Sequence, residues 1–527
     1  MTSNLQASHT TIMALKPGSE ESPERQRDGE GSETPTAKKS KLGPSESFAD
    51  VLKDMKENEK NRGKNVFKAN ITGAKAWRRP HLKIDDNAKA IVFQLLDVRE
   101  ALNSDGSNIA LLFGSTEDGH PVLARVLNFL PYLYFPAPPG FVEADLESLK
   151  ENLNASHVFR SGRCDYRGLF ILPEQTYETT VDYAQRFMLD MKVFILIFRS
   201  GHNMHVMSLQ ISGMSWIEVP ANKYTIVSDD DKFSESECQL EFSVSYDNLK
   251  PLPHDEGSKW ERIAPLRILS FDIETEVPQS GAFPNASNNA VFQIANMVKN
   301  HGDKNPFIVN IFTLKACTPI EGLEVHSYET EIELLQAWEA FIRAVDPDVI
   351  TGFNVARFDI PFLIKRAKTI NLEGFNLNRL YGMETQVPPS VLEWRLAPTL
   401  AGRMLLDVMH FIVTNMNLSG VGAYKLNAVT KRFLDEKKED VHFSEILALQ
   451  NGSLDTRRRL AIYCSKDAHL PLALMDKLEC LAKNADVARK QYVCLYSLFL
   501  EGAQNGGSYV NPHLASMMAG HITPDLM

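Results

Sequence analysis

The order of apolar and polar positions divides the chain into three regions. Up to about residue 63, Ser, Glu, Lys, Gly and Pro dominate and aromatic residues are few. Such a stretch cannot bury enough surface to offset chain entropy and is predicted to be disordered. From about 88 to 260, short apolar runs of strand length predominate. Ala90–Leu96, Ile109–Phe113, Pro121–Leu127 and Tyr132–Phe135 predict strands, and Ser104-Asp-Gly106 and Asp118-Gly119 supply turn signals. A short helix is predicted over 144–152. From about 261 the rhythm changes. Strands are predicted at Leu266–Ile273, Val291–Met297 and Phe307–Leu314. A helix is predicted over Glu329–Val345, because Leu334, Leu335, Trp338, Phe341, Ile342 and Val345 recur three or four apart. A strand at Asp348–Phe353 and a helix from Asp359, with Pro361 in its first turn, follow. Next come a strand at Arg403–Val408 and a helix from Leu426. A long helix over about Thr456–Ala488, capped by Asp455 or Thr456 and interrupted at Pro471, ends the series.

Three strands followed by alternating helix and strand predict an α/β fold: a ribonuclease-H-like domain over 261–490, preceded by a mixed β-rich domain over 64–260. The disordered tail would cover 1–63, and 491–527 a further tail. At 527 residues, 43% of them hydrophobic, the chain can fill about two or three cores. The net charge of −11 argues against a surface coated in nucleic-acid-binding charge but leaves room for a local basic groove. Six scattered cysteines without a C-x-x-C pair suit a reducing compartment and provide no zinc or iron–sulfur framework. The longest apolar run, Val193–Phe198, is far too short to span a membrane, and the N-terminus lacks a secretory apolar core. Lys38-Lys-Ser-Lys41 reads equally as a nuclear-import signal or a solvated charge run. The basic stretch Lys75–Lys83 reads first as a charged linker and second as a phosphate contact.

The chemistry starts at the end of the Leu266–Ile273 strand. Asp272 and Glu274 are two apart, so they project from one face of the strand and repel each other unless a cation lies between them. Hard divalent cations take oxygen ligands of this kind. Alone, the pair reads as a solvated strand end. Asp359 alone reads as a helix cap, and Tyr463 with Asp467, four apart, as a polar helix face. Together, four carboxylates on separate elements of one domain are what a two-metal site requires.

Asp272-Ile-Glu274, Asn354-x-x-x-Phe358-Asp359 and Tyr463-x-x-x-Asp467 resemble, in order, the three exonuclease motifs of B-family DNA polymerases. Flanking stretches such as Ile263–Glu274, Asp346–Gly352, Tyr134–Gly140 and Trp216–Ala221 extend the resemblance over roughly 90 to 490 and sharpen it towards one member of that family. The resemblance implies a 3′→5′ exonuclease that removes misinserted nucleotides from a primer end, with two Mg²⁺ (or Mn²⁺) ions as cofactors. It implies that Asp272, Glu274 and Asp467 hold one ion that binds and polarises a water. Asp272 bridges to the second ion, which Asp359 holds through water. Tyr463 orients the attacking water, and Asn354 and Phe358 position the terminal nucleotide. DNA, accessory polymerase subunits and a sliding clamp are the implied partners, and the nucleus the implied location.

Several stretches depart from the family. Its Asp-x-x-Ser-Leu-Tyr-Pro-Ser and Asp-Thr-Asp palm segments and its C-terminal cysteine clusters do not occur here, so DNA synthesis is not expected from this chain alone. Val193–Gln210 interrupts family-like text; an intron read in frame and a loop insertion both account for it. Met383–Leu400 and the text after Lys490 are also unlike the family. The alternative to an exonuclease is a non-catalytic product that only binds replication partners or DNA.

Overall fold

A computed structural model describes residues 47–61, 77–80, 82, 88–102, 108–128, 211–227, 236–255, 257–278, 280, 282–385, 387, 398, 400–420, 422–436 and 441–491. The expected strand Tyr132–Phe135, the helix over 144–152, Lys38–Lys41, nearly all of the two departing stretches and the last tail lie outside these residues. The first described element corrects the expectation of disorder. Phe48–Asn61 is a helix, α1. Its apolar residues Phe48, Val51, Leu52 and Met55 fall at i, i+3, i+4 and i+7, one narrow stripe within a polar composition. Phe48 and Val51 are buried, and the Phe48 ring packs 5.5 Å from that of His469.

A seven-stranded sheet follows: β1 (Ile91–Leu102), β2 (Asn108–Thr116), β3 (Pro121–Leu127), β4 (Trp216–Val219), β5 (Tyr224–Ile226), β6 (Leu240–Ser245) and β7 (Lys250–Pro251), in the order β5-β6-β3-β2-β1-β4-β7. The pairing is antiparallel except between β3 and β6. Alternate residues supply separate cores: Phe93, Leu95, Leu112 and Val122 in one, Leu111, Phe113 and Leu123 in another.

The second sheet begins with the antiparallel strands β8 (Arg267–Thr275), β9 (Val291–Asn300) and β10 (Ile308–Leu314), followed by β11 (Glu324–Tyr328) parallel to β10. The pattern did not announce β11, which is short, polar and half-buried at the sheet edge. Helix α2 (Glu331–Val345) opens on a capping box in which Thr330 and Glu333 satisfy each other's backbone N–H groups. Strand β12 (Val349–Gly352), helix α3 (Asp359–Thr369) and strand β13 (Met404–Asp407) follow, and β12 and β13 run parallel to β8. The order β11-β10-β9-β8-β12-β13 is therefore three antiparallel strands extended on the β8 side by two parallel ones. This is the ribonuclease-H-like arrangement the element order implied. Helices α2 and α3 cover one face, where Leu269, Phe271 and Ile273 meet Trp338, Phe341 and Leu363.

The other face carries α4 (Val408–Asn415), α5 (Leu426–Phe433), α6 (Ile446–Asn451), α7 (Leu454–Lys477) and α8 (Cys480–Gln491). Here Ile268 packs with Ala461, Cys464, Ala468 and Leu472 of α7. Two details of the long helix differ from expectation. Ser453 is its cap, with its Oγ accepting from Thr456 N. The helix passes through Pro471 and breaks at Glu479, whose φ is +54°. Proline lacks only one donor, and the packed Ala468–Met475 segment holds the helix across it.

The two sheets meet along a polar seam centred on Asp348, which is wholly buried. Its Oδ2 accepts from Arg79 Nη2 (2.7 Å) and Arg267 N (2.7 Å), and its Oδ1 from Arg379 Nη2 (2.8 Å). Asp346, in a left-handed turn at the end of α2, accepts from Arg379 Nε (2.6 Å) and Arg403 Nη2 (3.1 Å). From the first-sheet side, Glu237 accepts from Arg403 (3.0 Å) and Asp97 from Gly402 N (3.1 Å). Gln94 of β1 completes the seam by bonding Met214 O, Arg262 O and Ala264 N.

Burial alone would raise the Asp348 pKa, but the Arg79 and Arg379 charges and the Arg267 N–H outweigh it and hold the carboxyl below its ordinary range. Asp348→Ala takes one of two nearby carboxylates from the buried Arg79 and Arg379 guanidinium groups and the acceptor from Arg267 N, and is expected to destabilise the chain by about 3–5 kcal/mol in denaturant titration. A depressed carboxyl pKa contributes stability above the unfolded value and loses it as pH falls through the folded value. The gap between wild type and Asp348→Asn should therefore hold from neutrality to about pH 4 and close below it.

Candidate active site

Strand β8 sets the site. Ser270, Asp272 and Glu274 share one face by strand alternation, and Ser270 Oγ donates to Ala468 O of α7 at 2.7 Å. The two carboxylates therefore face the long helix, while Phe271 and Ile273 enter the opposite core. A register shift follows Glu274 at once. Ligand atoms of Asp272, Glu274 and Cys464 lie within 4.8 Å of one another. The Cys464 Sγ is 3.5 Å from Asp272 O and 3.8 Å from Asp272 Oδ2. Burial, then the charges of Asp272 and Glu274, pushes its pKa well above the usual thiol value, so it stands there as a neutral donor.

Asp359 is the first residue of α3 and only 3% exposed. Its Oδ1 accepts from the N–H of Ile273, the residue between Asp272 and Glu274, at 3.2 Å. Burial raises its pKa to about 8; hydrogen bonds including that from Ile273 oppose this, and the Asp407 and Asp467 charges add to it. Asp467 is buried on α7, one turn beyond Cys464, and its charge is felt by both Asp359 and Cys464. The structure thus brings Asp272 and Glu274 together with Cys464, joins Asp359 to the same strand through Ile273 N, and sets Asp467 near enough for its charge to act on Asp359 and Cys464.

Tyr463 packs in an apolar group with Phe292, Ile446, Leu449 and Leu460. Asn354 has a left-handed backbone, φ +73°. The Phe358 ring lies between Phe362 (5.5 Å) and Phe283 (5.0 Å, edge-on). Phe283 is 75% exposed, an aromatic ring standing in solvent against Phe358, the residue that precedes Asp359.

Sequence reasoning missed Cys464, Phe283 and Asp407. Cys464 was legible only as the neighbour of Tyr463. Phe283 gave no signal in a loop of Gly, Pro and Asn. Asp407, before an apolar run, carried the signal of a helix cap.

The donor set fits hard divalent cations. Its donors are mostly carboxylate oxygens, and a carboxyl whose proton is retained chiefly because of burial, with some help from its neighbours' charge, is relieved when a cation replaces that proton.

Residues 199–429 match the family model described as DNA polymerase family B, exonuclease domain. The match contains Asp272, Glu274, Asn354, Phe358 and Asp359 and ends before Tyr463 and Asp467. Over these residues the chain is similar to that family. Within it, the chain is similar to DNA polymerase delta catalytic subunits: 35% identical over 482 residues to that of Schizosaccharomyces pombe, and 37% over 461 residues to that of Candida albicans, each alignment covering 81% of this chain and 42% of the relative. Identity to the Arabidopsis thaliana subunit is 34% over 511 residues, covering 86% and 44%. The chain thus spans about two fifths of the length of these relatives. Among solved structures, the family B DNA polymerase of Pyrobaculum calidifontis matches 83% of this chain and 51% of its own, with 17% identity and a TM-score of 0.49.

Mn²⁺ or Mg²⁺ should raise the melting temperature, by an amount equivalent to about 2.7 kcal/mol at a hundred times the dissociation constant. EDTA should reverse the shift. Asp272→Ala with Glu274→Ala should abolish the shift without lowering the metal-free melting temperature, because it removes like charges.

Proposed function

We propose that the chain hydrolyses 3′-terminal nucleotides from DNA, the proofreading exonuclease part of a delta-type DNA polymerase catalytic subunit. The observation that carries this reading is the Asp359–Ile273 hydrogen bond. It brings a third carboxylate to the strand segment bearing Asp272 and Glu274.

Asp272, Glu274 and Asp467 would hold one divalent ion, and Asp272 and Asp359 a second. When bound, such ions supply an activated water at neutral pH and stabilise the leaving 3′-oxygen. Tyr463 would hydrogen-bond the attacking water, since a phenol is a poor base at this pH. Asn354 and Phe358 would position the terminal nucleotide, with the exposed Phe283 ring available to a base beside Phe358. The substrate is single-stranded 3′-ended DNA, including a frayed primer end. The longer relatives' name supports replication in the nucleus, with accessory subunits and a sliding clamp as partners.

Single-turnover cleavage of a labelled oligonucleotide in Mg²⁺ tests the reading. The Asp272→Ala, Glu274→Ala protein should lose about 10³-fold or more in rate, equivalent to about 4 kcal/mol of barrier, while remaining folded. Tyr463→Phe, which removes one orienting hydrogen bond, should lose about ten- to a hundredfold. Near wild-type cleavage by the double variant would remove the site from the reaction.

A further inference from the structure

The Asp407 carboxylate, at the end of β13, is 3% exposed and accepts four backbone N–H groups. Two belong to its own helix: Met409 N (3.0 Å) and His410 N (3.3 Å) on Oδ1, the ordinary work of a cap. The other two come from a different segment more than fifty residues earlier in the chain: Asn354 N on Oδ1 (2.9 Å) and Ala356 N on Oδ2 (3.0 Å). A cap needs only the first pair.

The second pair lies in the turn that delivers Asp359. Asn354 adopts a left-handed backbone there, a conformation that asparagine tolerates better than most residues with a Cβ. From Asn354 the path to Asp359 is short and bonded throughout. Arg357 N and Phe358 N donate to Asn354 O, and Ile360 N donates to Val355 O. The turn also presses on β8. A Cβ added at Gly352 would lie 2.3 Å from Val355 Cγ1 and 2.7 Å from Phe271 O, so the backbone has no room to settle elsewhere. Asp359 then closes the circuit on Ile273 N.

We infer that Asp407 is a positioning residue for the nuclease site: by clamping the 354–356 turn it fixes where Asp359 stands relative to Asp272 and Glu274, and hence the site's grip on its second divalent ion. The inference rests on the function proposed above. It separates two duties of one side chain, and a shorter acceptor can keep one and lose the other. Serine caps helices well but cannot span from β13 to the turn.

The test uses the full chain with Asp407→Ser and Asp407→Asn. Three quantities are read: single-turnover cleavage across a Mg²⁺ titration, Mn²⁺ binding by calorimetry, and backbone amide exchange. Asp407→Ser should slow cleavage about ten- to a hundredfold, the scale set by small misplacements of a reacting group. It should also raise the Mg²⁺ needed for half-maximal rate, weaken Mn²⁺ binding, and speed exchange at Asn354 and Ala356 while Ile412 in α4 stays protected. Asp407→Asn keeps one of the two acceptor oxygens and should show a smaller but measurable part of each loss, with faster exchange in the 354–356 turn. Asp407→Ser that cleaves and binds Mn²⁺ like wild type overturns the inference. If Asp407→Ser unfolds, a folded Asp407→Asn with unchanged metal dependence and unchanged exchange at 354 and 356 overturns it equally. Should the wild type itself not cleave, the function above falls, while exchange still decides whether Asp407 holds the turn.

Discussion

Asp348 has no contact with solvent, and both its oxygens are committed to groups from elsewhere in the chain: Arg79 ahead of the first sheet, Arg379 after α3 and the Arg267 amide at the start of β8. Removing charge from water is expensive, and such a pair adds little net stability compared with well-packed apolar residues. Its value here is in specifying geometry. The Arg267 N–H donates to the carboxylate that opens β12, so the two strands start in register from one point. Everything at the far end of those strands, Asp272, Glu274 and the turn to Asp359, inherits its position from that start.

The site is therefore built on rigid elements and held by backbone donors. β8 presents two carboxylates and an amide within three residues; α3 returns a third carboxylate to that amide; α7 sets Cys464 against the β8 pair. The carboxylates come from three separate elements, β8, α3 and α7, which is why removing one ligand need not unfold the domain. Burial first, and the neighbouring carboxylate charges second, displace the Asp359 and Cys464 pKa values upward.

What could be read from sequence follows the range of the interaction responsible. The face shared by Asp272 and Glu274 follows from strand alternation, and the α2 stripe from helical periodicity, both local. The tail helix Phe48–Asn61 was hidden because its apolar stripe is narrow and its stability comes from contacts such as that with His469. Pro471 reads as a break because the local rule is sound; tertiary packing overrides it. The Asp348 seam joins residues as much as 305 positions apart, and no periodicity encodes such a pairing. The second duty of Asp407 was equally invisible, since a cap announces the helix it begins and says nothing of a turn brought to it by folding.

The single hydrogen bond from Ile273 to Asp359 bears on how this gene can change length. Side chains on a strand alternate with a period of two, so one codon inserted or lost between Arg267 and Asp272 would turn both carboxylates into the apolar layer beneath α2 and α3. It would also present the wrong amide to Asp359. The connection from Thr275 to Val291 carries no such parity, and codons can be gained or lost there without reversing the sheet. Indels in this lineage should thus be permitted on one side of Glu274 and purged on the other, a boundary drawn by one backbone N–H.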